Sequence, residues 1–118
     1  MKKKQAGRTG REIPRSQWVR FFNRFSQDHE GWPAEVKVLE NGRRSEVEAR
    51  TLPLQGISVD LKAGANDTTS IMLDMKPTLH LTHLVPHTKH VVLKEDQQEL
   101  EVVSADGEKT IVHFQSPA

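Results

Sequence analysis

The sequence contains no cysteine. That absence removes disulfides, thiolate nucleophiles and zinc–thiolate sites together, so the fold stands on packing alone. Long apolar runs are missing too, since none approaches the roughly 20 residues that span a bilayer. The opening MKKKQAGRTGR begins basic but lacks the apolar stretch of a secretory signal. No transmembrane helix and a cytoplasmic location are the resulting expectations. Ser58 lies in no nucleophile elbow, and Gly64 in AGAND has neither the spacing nor the lysine of a phosphate loop. No internal repeat is present, no cofactor motif, and no low-complexity segment beyond the first residues.

What is present is enough for one domain. A chain of 118 residues removes roughly two-thirds of its unfolded surface from water on folding. Its net charge of +1 conceals an asymmetry, because Lys2, Lys3, Lys4, Arg8, Arg11 and Arg15 stand against Glu12 alone in the first 15 residues. The remainder is mildly acidic. Residues 1–13 therefore read as a disordered basic tail and 14–118 as a single domain. Lys2, Lys3, Lys4, Arg8 and Arg11 suit phosphate contacts, which would give salt-sensitive association with nucleic acid. The competing reading is a solvated lead-in, since nothing aromatic is interleaved with the charges.

In IPRSQWVRFFNRFSQDHEGW the residues Trp18, Phe21, Phe22 and Phe25 fall at i, i+3, i+4 and i+7, which predicts an amphipathic helix over about 16–29. Ser16 is the expected N-cap, and Gly31 is placed to end the helix in the left-handed region. After Trp32 the period changes to two. Asn41-Gly42 predicts a two-residue hairpin loop pairing Glu40 with Arg43, Lys37 with Glu46, Val36 with Val47 and Ala34 with Ala49. That register also sets Glu35 against Glu48. Ile57, Val59 and Leu61 are expected inward, with Ile71 and Leu73 returning to the same side. A two-residue Asp96-Gln97 loop pairs Leu93 with Leu100 and Val91 with Val102, and a three-residue loop with Gly107 at positive φ closes SADGEK. Pro53 and Pro86 are expected between strands. The fold class is α+β: one N-terminal helix packed on an antiparallel meander of about seven strands, open or curled into a partial barrel.

HLTHLVPHTKH carries His80, His83, His87 and His90. As a strand it sends His83 to the face of Leu79, Leu81 and Val85, and His80 to the other with Thr82 and Leu84. Pro86 interrupts the helix that would reunite them, and zinc wants about four ligands, so no metal site is expected. His83 is expected to be buried and hydrogen-bonded, as a core histidine or as the lining of a small pocket. His80 and His83 are the candidate ligand-binding residues; no catalytic residue is assigned.

The phrases EIPRSQWVRFFNRFSQDHEGW, LPLQGISVDL, HLTHLVP and LEVVSADGEKTIVHF together resemble an uncharacterised family of short bacterial proteins, a domain of unknown function, over about residues 11–114. The resemblance implies a stand-alone bacterial domain and carries no catalytic residue or cofactor. His80 and His83 match its HLTH element, whereas His87 and His90 look peculiar to this chain. Three functions compete. The first is a non-enzymatic binding or accessory module for a protein or small molecule, with a homodimer compatible. The second is nucleic-acid association through the tail, and the third a small enzyme or ligand pocket around His83.

Overall fold

Alternation of apolar and polar residues becomes strands, and the aromatic stripe becomes a helix. In chain order these are β1 (Gly10–Glu12), α1 (Trp18–His29), β2 (Pro33–Glu40), β3 (Arg43–Glu46), β4 (Leu52–Asp60), β5 (Thr68–Lys76), β6 (Leu79–Val85), β7 (Thr88–Lys94), β8 (Glu99–Ser104) and β9 (Lys109–Phe114). The computed structural model describes residues 10–40, 43–46, 51–64, 66–76, 78–94 and 98–115. The strands form one antiparallel sheet in the order β1-β7-β8-β9-β2-β4-β5-β6, with β3 paired to β2, and the sheet does not close into a barrel. One helix on an antiparallel sheet is the expected class. Among the described residues the strand count is nine rather than about seven.

β1 lies inside the segment read from sequence as tail. Gly10 pairs with Lys94, Arg11 with Leu93 and Glu12 with Val92, and Ile13 N–H donates to Val91 O at 2.8 Å. The Ile13 side chain is 1 % exposed. The tail boundary at residue 13 is thus corrected: residues 10–13 are structured, and 1–9 lie outside the described residues. Backbone pairing needs no apolar side chain, so a charged three-residue edge strand leaves no periodic signal. A side chain at Gly10 would collide with that of Val92, and glycine permits the close approach.

α1 buries Trp18, Phe22, Phe25 and His29, with Phe21 partly covered. Ser16 is not its N-cap. It sits in a 3₁₀ turn over Arg15–Gln17, where Gln17 N–H donates to Pro14 O at 2.8 Å, and Gln17 precedes the helix without a side-chain cap. Proline at 14, with φ −62° and ψ 147°, sets the chain up for that turn. At the other end Glu30 adopts φ −60° and ψ 129°, Gly31 adopts φ 83°, and Trp32 N–H reaches His29 O at 3.0 Å. Those angles define a type II turn, so Gly31 takes the left-handed conformation for the turn rather than for a helix cap.

The β2–β3 register pairs Glu40 with Arg43 and Lys37 with Glu46, as expected. The Asn41-Gly42 loop, Asp96-Gln97 and the expected partners Val47 and Glu48 lie outside the described residues, and the expected Ala34–Ala49 pair is overturned, since Ala34 pairs with Leu52 on one side and Phe114 on the other. Leu93 pairs with Leu100 and Val91 with Val102. Ser104 N–H donates to Glu108 O at 2.9 Å around a three-residue loop in which Gly107 has φ 93°. Two further expectations fail. Leu61 is 38 % exposed because β4 ends at Asp60, and Pro53 lies within β4 rather than between strands.

Pro53 faces Pro33, and among the described residues the β2–β4 register comprises that pair and Ala34–Leu52. Neither proline supplies an N–H, and the two segments stay joined past them by Leu54 N–H to Trp32 O at 2.9 Å and Gly31 N–H to Leu54 O at 2.8 Å. α1 serves β4 further along: Ser26 Oγ donates to Ile57 O at 3.0 Å and accepts from Ile57 N–H at 2.8 Å, beside a bulge between Leu54 and Gly56. The helix aromatics and the inward residues of seven strands, β2, β4 to β9, form one core; Phe25 meets Phe114 edge-on at 5.4 Å between centroids.

Candidate functional site

Strand alternation on β6 separates the two histidines that the sequence put forward. His80 pairs across from Asp74 and His83 across from Ile71. On the outer face His80 Nδ1–H donates to Asp74 Oδ1 at 2.8 Å, both side chains being partly exposed. The β5–β6 register shifts between Asp74 and Lys76. Beside this pair lies a cleft of about 510 Å³, lined by Leu52, Pro53 and Met75 as apolar groups and by Glu30, Gln55, Lys76, Asp74 and His80 as polar ones. Asp74 fixes the Nδ1–H tautomer, leaving Nε2 without a hydrogen-bond partner among the described residues.

His83 is half-buried on the inner face, and its Nε2 shares a hydrogen bond of 3.3 Å with Oγ1 of Thr110, which is fully buried. Burial pushes the His83 imidazole below its ordinary value, so it stays neutral at pH 7. Its partner is a hydroxyl and not a carboxylate. The cleft beside His80 does not include His83. His87 is exposed at φ 52° in the turn between β6 and β7, where its carbonyl accepts from Ala105 N–H at 2.9 Å. His90 Nδ1 lies 2.6 Å from Glu12 Oε2, linking β7 to β1, and His113 Nδ1 lies 3.9 Å from Glu99 Oε1. Among the described residues no three His, Asp or Glu side chains gather as a metal-holding group. Of the basic tail, Arg11 is exposed on β1. Lys2, Lys3, Lys4 and Arg8 lie outside the described residues.

Several polar groups with little or no local sequence signal are placed with care by the fold. Asp67, 2 % exposed, receives Arg15 Nε at 2.6 Å and Nη2 at 3.0 Å, and its Oδ1 also accepts Lys62 N–H at 2.8 Å. Thr88 Oγ1 donates to Val85 O at 2.8 Å, so Thr69 Oγ1 donates to Thr88 Oγ1, also at 2.8 Å. His29 Nδ1–H donates to Phe25 O at 3.0 Å, and its ring stacks on Phe25 at 4.0 Å. An i, i+4 bond of that kind is visible in the spacing once a helix is assumed. The Arg15–Asp67 pair, 52 residues apart, has no local signal.

No helix among the described residues is long and apolar enough to cross a membrane. No curated protein and no solved structure matches the chain. A family model does match, over residues 9–118 and thus over both β6 histidines and the cleft, and the chain belongs to that family, the Family of unknown function (DUF5335).

Proposed function

We propose that the protein is a non-enzymatic binding module whose ligand is a small molecule seated in the cleft beside His80. The observation that carries this reading is the Asp74–His80 pair, which presents an oriented, unpartnered imidazole nitrogen next to an apolar lining. Ligand sites of roughly 300–1,000 Å³ combine apolar walls with a few convergent polar groups, and this cleft has that composition. Leu52, Pro53 and Met75 suit an apolar body, while His80, Gln55 and Lys76 suit a polar end. Binding is favoured over catalysis because among the described residues no hydroxyl or thiol side chain lines the cleft, so the Asp–His pair has no side-chain nucleophile there to activate.

The test is a fragment screen followed by NMR of the histidine rings and the Met75 methyl group. Fragments should shift the His80 and Met75 signals, and His80→Ala should weaken them at least about tenfold, or about 1.4 kcal/mol. Hits confined to the exposed face of α1, or hits lost in His83→Leu and kept in His80→Ala, would overturn the assignment; the latter would move the site to the inner face.

A further inference from the structure

β6 ends the sheet. It pairs with β5 along one edge, and among the described residues no strand pairs with the other. Proteins guard such edges with short strands, charges or proline, because unpaired N–H and C=O groups recruit another chain. β1 is three residues long and carries Arg11 and Glu12, and β3 carries Arg43, Arg44 and Glu46. β6 has none of these guards. Its seven residues, LHLTHLV, include no Lys, Arg, Asp, Glu or Pro, although 28 % of the chain is charged. Leu84 at 56 % and Leu79 at 48 % exposure are the two most exposed large apolar side chains among the described residues.

We propose that β6 is the contact strand of a homodimer, pairing antiparallel with β6 of a second copy about a two-fold axis at Thr82. That register sets Leu79 against Val85, His80 against Leu84 and Leu81 against His83. The burial gradient along the inner face identifies a second copy as the occupant. Val85 is 1 % exposed, Leu81 and His83 are intermediate, and Leu79 is largely exposed. An antiparallel copy lays the exposed end of each strand beside the buried end of the other, so each core row continues across the axis. A parallel copy would set Leu79 beside Leu79 and Val85 beside Val85, joining like ends of the gradient rather than continuing each core row. Isologous pairing also brings no two fixed like charges face to face. A contact of two seven-residue strands falls below the roughly 1,200 Å² of stable complexes, so the dimer is concentration-dependent.

Sedimentation equilibrium should show the 13.4 kDa chain moving toward twice that mass as concentration rises to about 1 mM. Leu84→Lys places like charges on either side of the axis opposite His80, and should raise the dissociation constant at least about tenfold with the thermal midpoint unchanged. Because the chain has no cysteine, Thr82→Cys should cross-link to itself under mild oxidation, whereas Ser58→Cys, on the exposed side of β4, should not. A mass that stays monomeric throughout, a dimer that survives Leu84→Lys, or equal cross-linking at positions 82 and 58 would each overturn the proposal. The Thr82→Cys arm decides the matter even if Leu84→Lys fails to fold. Fragment binding at His80 is measured separately, so either result can fail without the other.

Discussion

Asp67 stays ionised although it is buried, because Arg15 meets both carboxylate oxygens and Lys62 N–H donates to one of them. These hydrogen bonds, that to Arg15 foremost, hold its carboxyl below the usual carboxylate range. A lowered folded value means the stabilisation is present above the ordinary carboxylate pKa and is lost as pH falls through the folded one. Asp67→Asn should therefore cost about 1–3 kcal/mol at pH 7 and progressively less as pH falls below the ordinary carboxylate range, measured by urea unfolding across that span. His83 has the opposite chemistry and the same direction. Its value lies below the ordinary one for histidine through burial, so the unfolded chain takes up its proton first and stability declines as pH falls from about 6.5 toward the folded value. His83→Leu should flatten that decline, and an NMR titration of the wild-type ring should give a midpoint below 6.5; a midpoint at or above it would contradict the burial account. The sequence showed that His83 faces inward. It did not show Thr110, which alternation alone cannot place opposite a strand with which β6 does not pair.

At the scale of elements, the aromatic spacing of α1 predicted its packing, and Trp18, Phe22 and Phe25 are buried as that stripe requires. Phe25→Ala should cost about 3–5 kcal/mol by thermal or denaturant unfolding, since the ring is enclosed by Phe21, His29 and Phe114. Wild-type stability in that variant would make the stripe a surface. The helix ends were less legible than its centre. Pro14 and the 3₁₀ turn displaced the start from Ser16, and Gly31 serves a type II turn. A side chain at Gly31 meets no neighbour, so Gly31→Ala should cost about 1–2 kcal/mol through its positive φ alone, and D-alanine at that position should restore the loss. Hairpin registers were read well because period-two burial and loop length constrain each other. Pro53 is tolerated inside β4 because Leu54, its neighbour, makes the hydrogen bonds to the Gly31–Trp32 segment, and that pairing is set by residues far apart in the chain.

Across the whole molecule the first structured residues matter more than their charge suggests. Ile13 follows β1, is fully covered, and its carbonyl accepts Trp18 Nε1–H at 2.8 Å. Ile13→Ala should cost about 2–5 kcal/mol, whereas a tail without contacts would register no change in unfolding midpoint. The basic tail keeps its separate proposal of nucleic-acid association. A chain lacking residues 1–9 should then lose any salt-sensitive shift of DNA, and binding that survives the deletion would refute it. Local pattern alone determined the α+β class, the aromatic core stripe, the registers of the β2–β3 and β7–β8 hairpins and the divergence of His80 from His83, because periodicity and turn chemistry act within a few residues. Only the tertiary structure decided that the sheet stays open, that β1 exists, that Asp74 rather than a partner of His83 completes an oriented histidine, that Arg15 reaches Asp67, and that β6 is left at the edge. Those outcomes depend on which strands become neighbours, and that choice is made by packing between residues far apart in the chain.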